Sequence, residues 1–78
     1  MDSFKIIDLE RTGENIRVLR EKNGLSVKDL QNIFGFTTTN SIYKWQYGKT
    51  LPTVDNLVML ANLFNVNIED ILVMRSKV

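Results

Sequence analysis

Residues 36–52 read FTTTNSIYKWQYGKTLP, and the fold turns on how this stretch is read. Phe36, Ile42 and Trp45 are placed to face a core, while Thr39, Asn40, Tyr43 and Lys44 fall on the other side of a short helix. The spacing predicts that helix over about 39–47, with the run of three threonines and Asn40 leaving its first residue open. Gly48 closes it, GKTLP makes a loop, and Pro52 prevents any helical continuation. A solvent-facing row of short hydroxyl and amide side chains beside a cation is the chemistry that reads base edges in a DNA groove. The segment carries Lys44 and Lys49 and no acid.

Two helices precede it. Thr12 reads as an N-cap with Glu14 in the first turn, giving a first helix over about 13–23 that buries Ile16, Val18 and Leu19 and ends at Gly24. Its cations are Arg17, Arg20 and Lys22, of which Arg17 and Lys22 read as solvated surface charges. Ser26 caps a second helix over about 27–33, with Asp29 completing a capping box and Val27, Leu30, Ile33 and Phe34 inward. Gly35 then supplies a turn with positive φ, and two short helices joined by a tight turn describe a helix-turn-helix.

Downstream, Thr53 caps a fourth helix over about 54–64, with Val54, Leu57, Val58, Leu60, Ala61 and Phe64 as its apolar set. Asn67 caps a fifth over about 68–74, with Asp70 at its third position and Ile68, Ile71 and Leu72 inward. Five short helices with short loops make a compact all-α domain over 12–74, followed by a tail at 75–78. Residues 1–11 alternate apolar Phe4, Ile6, Ile7 and Leu9 with Lys5 and Asp8. They read as an arm covering core surface, in preference to a short strand or a dimer contact.

Composition removes most chemistries. The 78 residues include no cysteine and no histidine, so neither a disulfide nor a thiolate is available and the commonest catalytic base is missing. A metal site would need carboxylates alone, and no acid cluster has that spacing. The expectation is a protein that is not an enzyme and takes no cofactor or metal. No apolar run would span a bilayer, and MDSFKIIDLE has no basic leader, so a soluble cytoplasmic chain is expected. Net charge is only +1, but it is unevenly placed: residues 53–72 hold Asp55, Glu69 and Asp70 without a base. The side at 35–52 is thereby suited to phosphate.

Together IRVLREKNGLSVKDL (16–30), FGF (34–36), IYKWQYGKTLPT (42–53) and LVMLANLFNVNIEDIL (57–72) resemble the Cro/C1-type (XRE) helix-turn-helix family of phage and bacterial repressors, over about 13–73. The resemblance implies a lambda-repressor-like DNA-binding domain. In such proteins the third helix enters the major groove, the second crosses the backbone, and the next loop grips phosphate. By position, Thr39, Asn40 and Lys44 match base-contacting side chains, with Thr38 and Tyr43 beside them. Asn40 would bond an adenine edge and Lys44 guanine O6 and N7. Ser26 matches a phosphate-contacting cap, with Lys28 in the turn after it; Lys49 and Thr50 match the gripping loop. Arg20 matches an arginine that touches both phosphate and an acid of the third helix.

The chain departs from that pattern in three ways. It carries one extra residue between Gly35 and Ile42, Val27 where a phosphate-bonding Gln is common, and Gln46 where a Glu is common. With an amide at 46, Arg20 either donates to it or is free to meet phosphate. The implied function is sequence-specific binding of double-stranded DNA by a small transcriptional regulator, of repressor type and homodimeric on DNA. The apolar arm and the region of Ile71, Val73 and Met74 would be its dimer surfaces. The alternative is a protein-interaction module on the same fold, such as an antitoxin or accessory regulator.

Overall fold

The computed structural model describes residues 4–77. The element order is β1 (Lys5–Ile7), α1 (Leu9–Lys22), α2 (Val27–Phe34), α3 (Asn40–Gln46), α4 (Val54–Phe64), α5 (Ile68–Ile71) and β2 (Met74–Ser76). The five expected helices are present, and a two-stranded ribbon is added to them.

The first helix begins at Leu9, not at 13, and its cap is Asp8, whose carboxylate accepts the Arg11 N–H at 2.9 Å. Thr12 is therefore no cap. It is fully buried inside α1, where its Oγ1 accepts the Val73 N–H at 2.9 Å. Gly13, a poor helix former, lies mid-helix because nothing larger fits there. A Cβ at this position would stand 2.2 Å from the Trp45 carbonyl oxygen and 2.7 Å from that of Gln46. Close crossing of α1 over the end of α3 overrides local propensity.

The capping box of α2 forms as the sequence implies: Ser26 Oγ accepts the Asp29 N–H at 2.9 Å, and Asp29 Oδ2 accepts the Ser26 N–H at 2.8 Å. Those bonds hold the Asp29 carboxyl below its ordinary range. Gly35 ends the helix at φ 72°. The extra residue of the turn is absorbed in bends at 37–39. Thr38 Oγ1 accepts the Asn40 N–H at 3.2 Å, and Asn40 is the first residue of α3.

The fifth helix is a single turn that stops at Ile71, short of 74. Leu72 is extended, and Val73 is tied to α1 by Thr12 and by the Asp8 N–H, which its carbonyl accepts at 2.7 Å. The chain then pairs antiparallel with β1, Lys5 opposite Ser76, Ile6 opposite Arg75 and Ile7 opposite Met74. The N-terminal arm is thus a strand, and the tail from 75 is largely its partner. Phe4 stays 75% exposed while Ile6 and Ile7 are half-buried, so the segment covers less of the domain than expected.

Ile16, Leu30, Ile42, Trp45, Leu57, Leu60, Ala61, Phe64 and Ile71 form that core. Four residues expected inside are outside: Val18 (38% exposed), Ile33 (47%), Val54 (75%) and Val58 (45%). Successive helical residues turn by about 100°. Val58 is accordingly rotated away from the face shared by Leu57, Ala61 and Phe64, and Ile33 from that of Val27, Leu30 and Phe34. Gln31 is the residue that α2 buries instead, its Nε2 donating to the Phe36 carbonyl at 3.2 Å.

Candidate nucleic-acid interface

The orientation of α3 is set from within. Ile42 is wholly buried and Trp45 nearly so. The Trp45 ring meets Phe34 and Phe36 edge-on, at centroid distances of 5.7 and 5.8 Å, while Phe34 and Phe36 lie 5.4 Å apart. This aromatic trio joins α2, the turn and α3, fixing the angle at which α3 is presented. Nothing about Trp45 suits it for stacking on a partner.

With Ile42 and Trp45 inward, the outward stripe is Asn40, Tyr43, Lys44 and Tyr47, at spacings i, i+3, i+4 and i+7. All four are exposed. Thr38 is exposed just ahead of them, and Thr39 is half-buried where the chain enters the helix. The structure therefore brings Asn40, Tyr43 and Lys44 onto one face, leaves Thr38 exposed in the bend before the helix and sets Thr39 partly back. Tyr47, 66% exposed, is a member of the stripe that the sequence reading did not include. Its ring stacks on Tyr43 at a centroid distance of 5.9 Å and an interplanar angle of 18°. The signal was legible as the i+4 neighbour of Tyr43 and the i+7 neighbour of Asn40.

Lys49 and Thr50 follow directly and are exposed. Their N–H groups both turn back to the Lys44 carbonyl, at 2.9 and 3.4 Å, so the loop is a continuation of the helix end. Gly48 makes the turn possible: it has φ 71°, and a Cβ there would lie 2.8 Å from the Glu10 Cα. Ser26 and Lys28 are exposed at the start of α2, the other side of the helix-turn-helix. Lys28, Lys44 and Lys49 are exposed, the Asp29 carboxylate is engaged by the cap, and Glu10 of α1 lies against Gly48, next to Lys49.

Arg20 stands apart from these. Its side chain is 11% exposed. Its Nε donates to Gln46 Oε1 at 2.9 Å and its Nη1 to the Leu25 carbonyl at 2.7 Å, with Nη2 3.6 Å from Glu21. The guanidinium braces α1 and the α1–α2 corner against the end of α3. Gln46 replaces the common carboxylate without losing the contact. Arg17 is held by Glu14 and Glu21 on the surface of α1, which raises its affinity for the proton and lowers that of Glu14.

Among the described residues there is no pocket and no grouping of acids that would hold a metal ion. No helix is long and apolar enough to cross a membrane. The outward face of α3 carries Lys44, and Lys49 is exposed in the loop that follows it.

A helix-turn-helix domain family model matches residues 13–75. Among solved structures, the crystal structure of the DNA-binding domain of BldD is similar, with a TM-score of 0.69 at 23% identity, covering 83% of this chain and 93% of that one. The BldD DNA-binding domain of S. venezulae gives 0.70 at 23% identity, covering 83% and 96%. The restriction-modification controller protein C.AhdI from Aeromonas hydrophila gives 0.71 at 23% identity, covering 82% and 96%. No curated protein matches the sequence. The structural likenesses establish a shared fold, and the family model spans both helices of the motif, the aromatic trio and the core behind them. The chain belongs to the helix-turn-helix domain family, and within it to the Cro/C1 (XRE) type.

Proposed function

We propose that this protein is a small cytoplasmic transcriptional regulator, repressor in type, that binds double-stranded DNA at a defined sequence with α3 in the major groove. The observation that carries the reading is the outward stripe of α3: Asn40, Tyr43 and Lys44 are exposed while Ile42 and Trp45 anchor the opposite side. Amide and ammonium groups on one helix face match adenine and guanine edges. Thr38 and Thr39 lead that face into the groove. Ser26, Lys28, Lys49 and Thr50 flank it as phosphate contacts, and Arg20 serves as the brace that holds α3 at its angle. Occupying an operator is the whole activity, and no chemical step is required.

One domain of this size covers little DNA, so useful specificity calls for two copies on adjacent half-sites. The fully buried Ile71 cannot supply a dimer contact, whereas Phe4 and Met74 on the ribbon remain exposed. A second reading, a protein-interaction module on the same fold, draws on Val54, Val58 and Met59, all exposed along α4. It requires duplex binding that barely changes with salt or sequence.

The test is a pair of substitutions assayed by fluorescence anisotropy on a selected operator and a scrambled duplex across a salt series. Lys44→Ala should narrow the difference between the two duplexes. Lys49→Ala should weaken both equally and reduce the salt slope by about 1, the value for one lost phosphate contact. Equal effects of both substitutions on every duplex would refute this division of labour.

A further inference from the structure

The stripe on α3 is chemically split. Asn40 and Lys44 are polar, but Tyr43 and Tyr47 put two stacked rings on the same face, 40% and 66% exposed. At about 100° per residue the four side chains lie within a sector roughly 100° wide, opposite Ile42 and Trp45. Tyr47 therefore faces whatever Asn40 and Lys44 face. Neither tyrosine hydroxyl has a hydrogen-bond partner among the described residues, and the two rings stack on each other.

Base edges in the major groove offer one apolar group, the C5-methyl of thymine. An exposed aromatic ledge within a groove-facing stripe is matched by that group and by nothing else on the base edges. We propose that Tyr43 and Tyr47 form a ledge that reads a thymine methyl, making Tyr47 a specificity-determining residue. The ledge selects 5-methylpyrimidine at one operator position, while Asn40 and Lys44 read neighbouring purines. The inference rests on the reading of α3 as the DNA-facing helix.

The test replaces each thymine of the selected operator singly by uracil, which removes only the methyl group, and measures affinity by anisotropy. At one thymine per half-site the wild-type protein should bind about fourfold more weakly, the factor that transfer of one buried methyl group corresponds to at 25 °C. Tyr43→Ala and Tyr47→Ala should bring the thymine-to-uracil ratio at that position close to one. Tyr43→Phe and Tyr47→Phe, which keep the rings, should preserve it. The wild-type measurement needs no variant to fold.

An operator in which no thymine-to-uracil change matters, or one lacking thymine, overturns the ledge while leaving α3 as the reading helix. A ratio unchanged in both Tyr43→Ala and Tyr47→Ala also overturns it, and reduces the tyrosine pair to support for a short helix. Failure to select any duplex would remove the DNA reading itself, and the ledge with it.

Discussion

Replacing Gly13 by alanine sets two effects of opposite sign against each other. In a helix interior alanine is favoured over glycine by about 1 kcal/mol, so propensity alone makes Gly13→Ala stabilising. The structure argues otherwise. The new Cβ would lie 2.2 Å from the Trp45 carbonyl oxygen, 2.7 Å from the Gln46 carbonyl oxygen and 2.9 Å from the Gln46 carbonyl carbon. These are backbone atoms, so no rotamer change relieves the contact, and α1 must move away from the end of α3. That motion loosens Ile16 against Ile42 and Trp45 in the core. Overpacking typically costs about 1–3 kcal/mol, and so short a backbone contact belongs at the upper end.

After the propensity gain, a net loss of about 2 kcal/mol remains, a large part of the roughly 4–12 kcal/mol a domain of this length has. With a urea m-value of about 1 kcal/mol/M, the midpoint should fall by about 2 M with m unchanged. Gly24→Ala is the control. Gly24 has φ 70° and nothing within 4 Å of a Cβ, so only the cost of a left-handed backbone, about 1–2 kcal/mol, applies. A Gly13→Ala protein with the wild-type midpoint or a higher one would refute the close α1–α3 crossing.

Two further outcomes follow from the ribbon and the α2 cap. Thr12→Val keeps the shape but leaves the part-buried Val73 N–H without its acceptor, so thermal unfolding should show a loss of about 1–2 kcal/mol; an unchanged melting temperature would mean that the ribbon root contributes nothing. Asp29 has a folded pKa below its ordinary value of 3.8 because it accepts from Ser26. Its contribution is therefore complete above that ordinary value and disappears as pH falls through the lower, folded pKa. The stability gap between wild type and Asp29→Asn should be constant from neutral pH to about pH 4 and close below it. A gap that widens in acid would contradict the cap.

Where the sequence was legible, one local signal sufficed. Ser26 and Asp29 announce the start of α2, and Ile42 with Trp45 fixes which side of α3 is inside. The start of α1 was hidden because Thr12 and Gly13 look like a helix boundary. Their identities answer instead to Val73 and to the carbonyls of Trp45 and Gln46, partners distant in the chain. The ribbon has three residues in each strand, too few to show a period, and its pairing joins opposite ends of the sequence. Val18, Ile33 and Val58 are outside because of their angular position on their helices, whereas Val54 shares the angle of Leu57 and Ala61 and is exposed as the first residue of α4.

In the site, the sequence left Arg20 either donating to Gln46 or free for phosphate, and the coordinates show it donating to Gln46 and to the Leu25 carbonyl. Tyr47 was within reach of the pattern. It falls inside the helix expected over 39–47, at i+4 from Tyr43, and the structure keeps its side chain on the α3 stripe although it is the C-cap.

Whether α3 reads DNA is decided by selection of duplexes from a random pool with the purified protein, followed by sequencing. One enriched motif is expected, arranged as an inverted repeat if two copies bind related by a two-fold axis. No enrichment at low salt, from protein whose circular dichroism shows it to be folded, would contradict it.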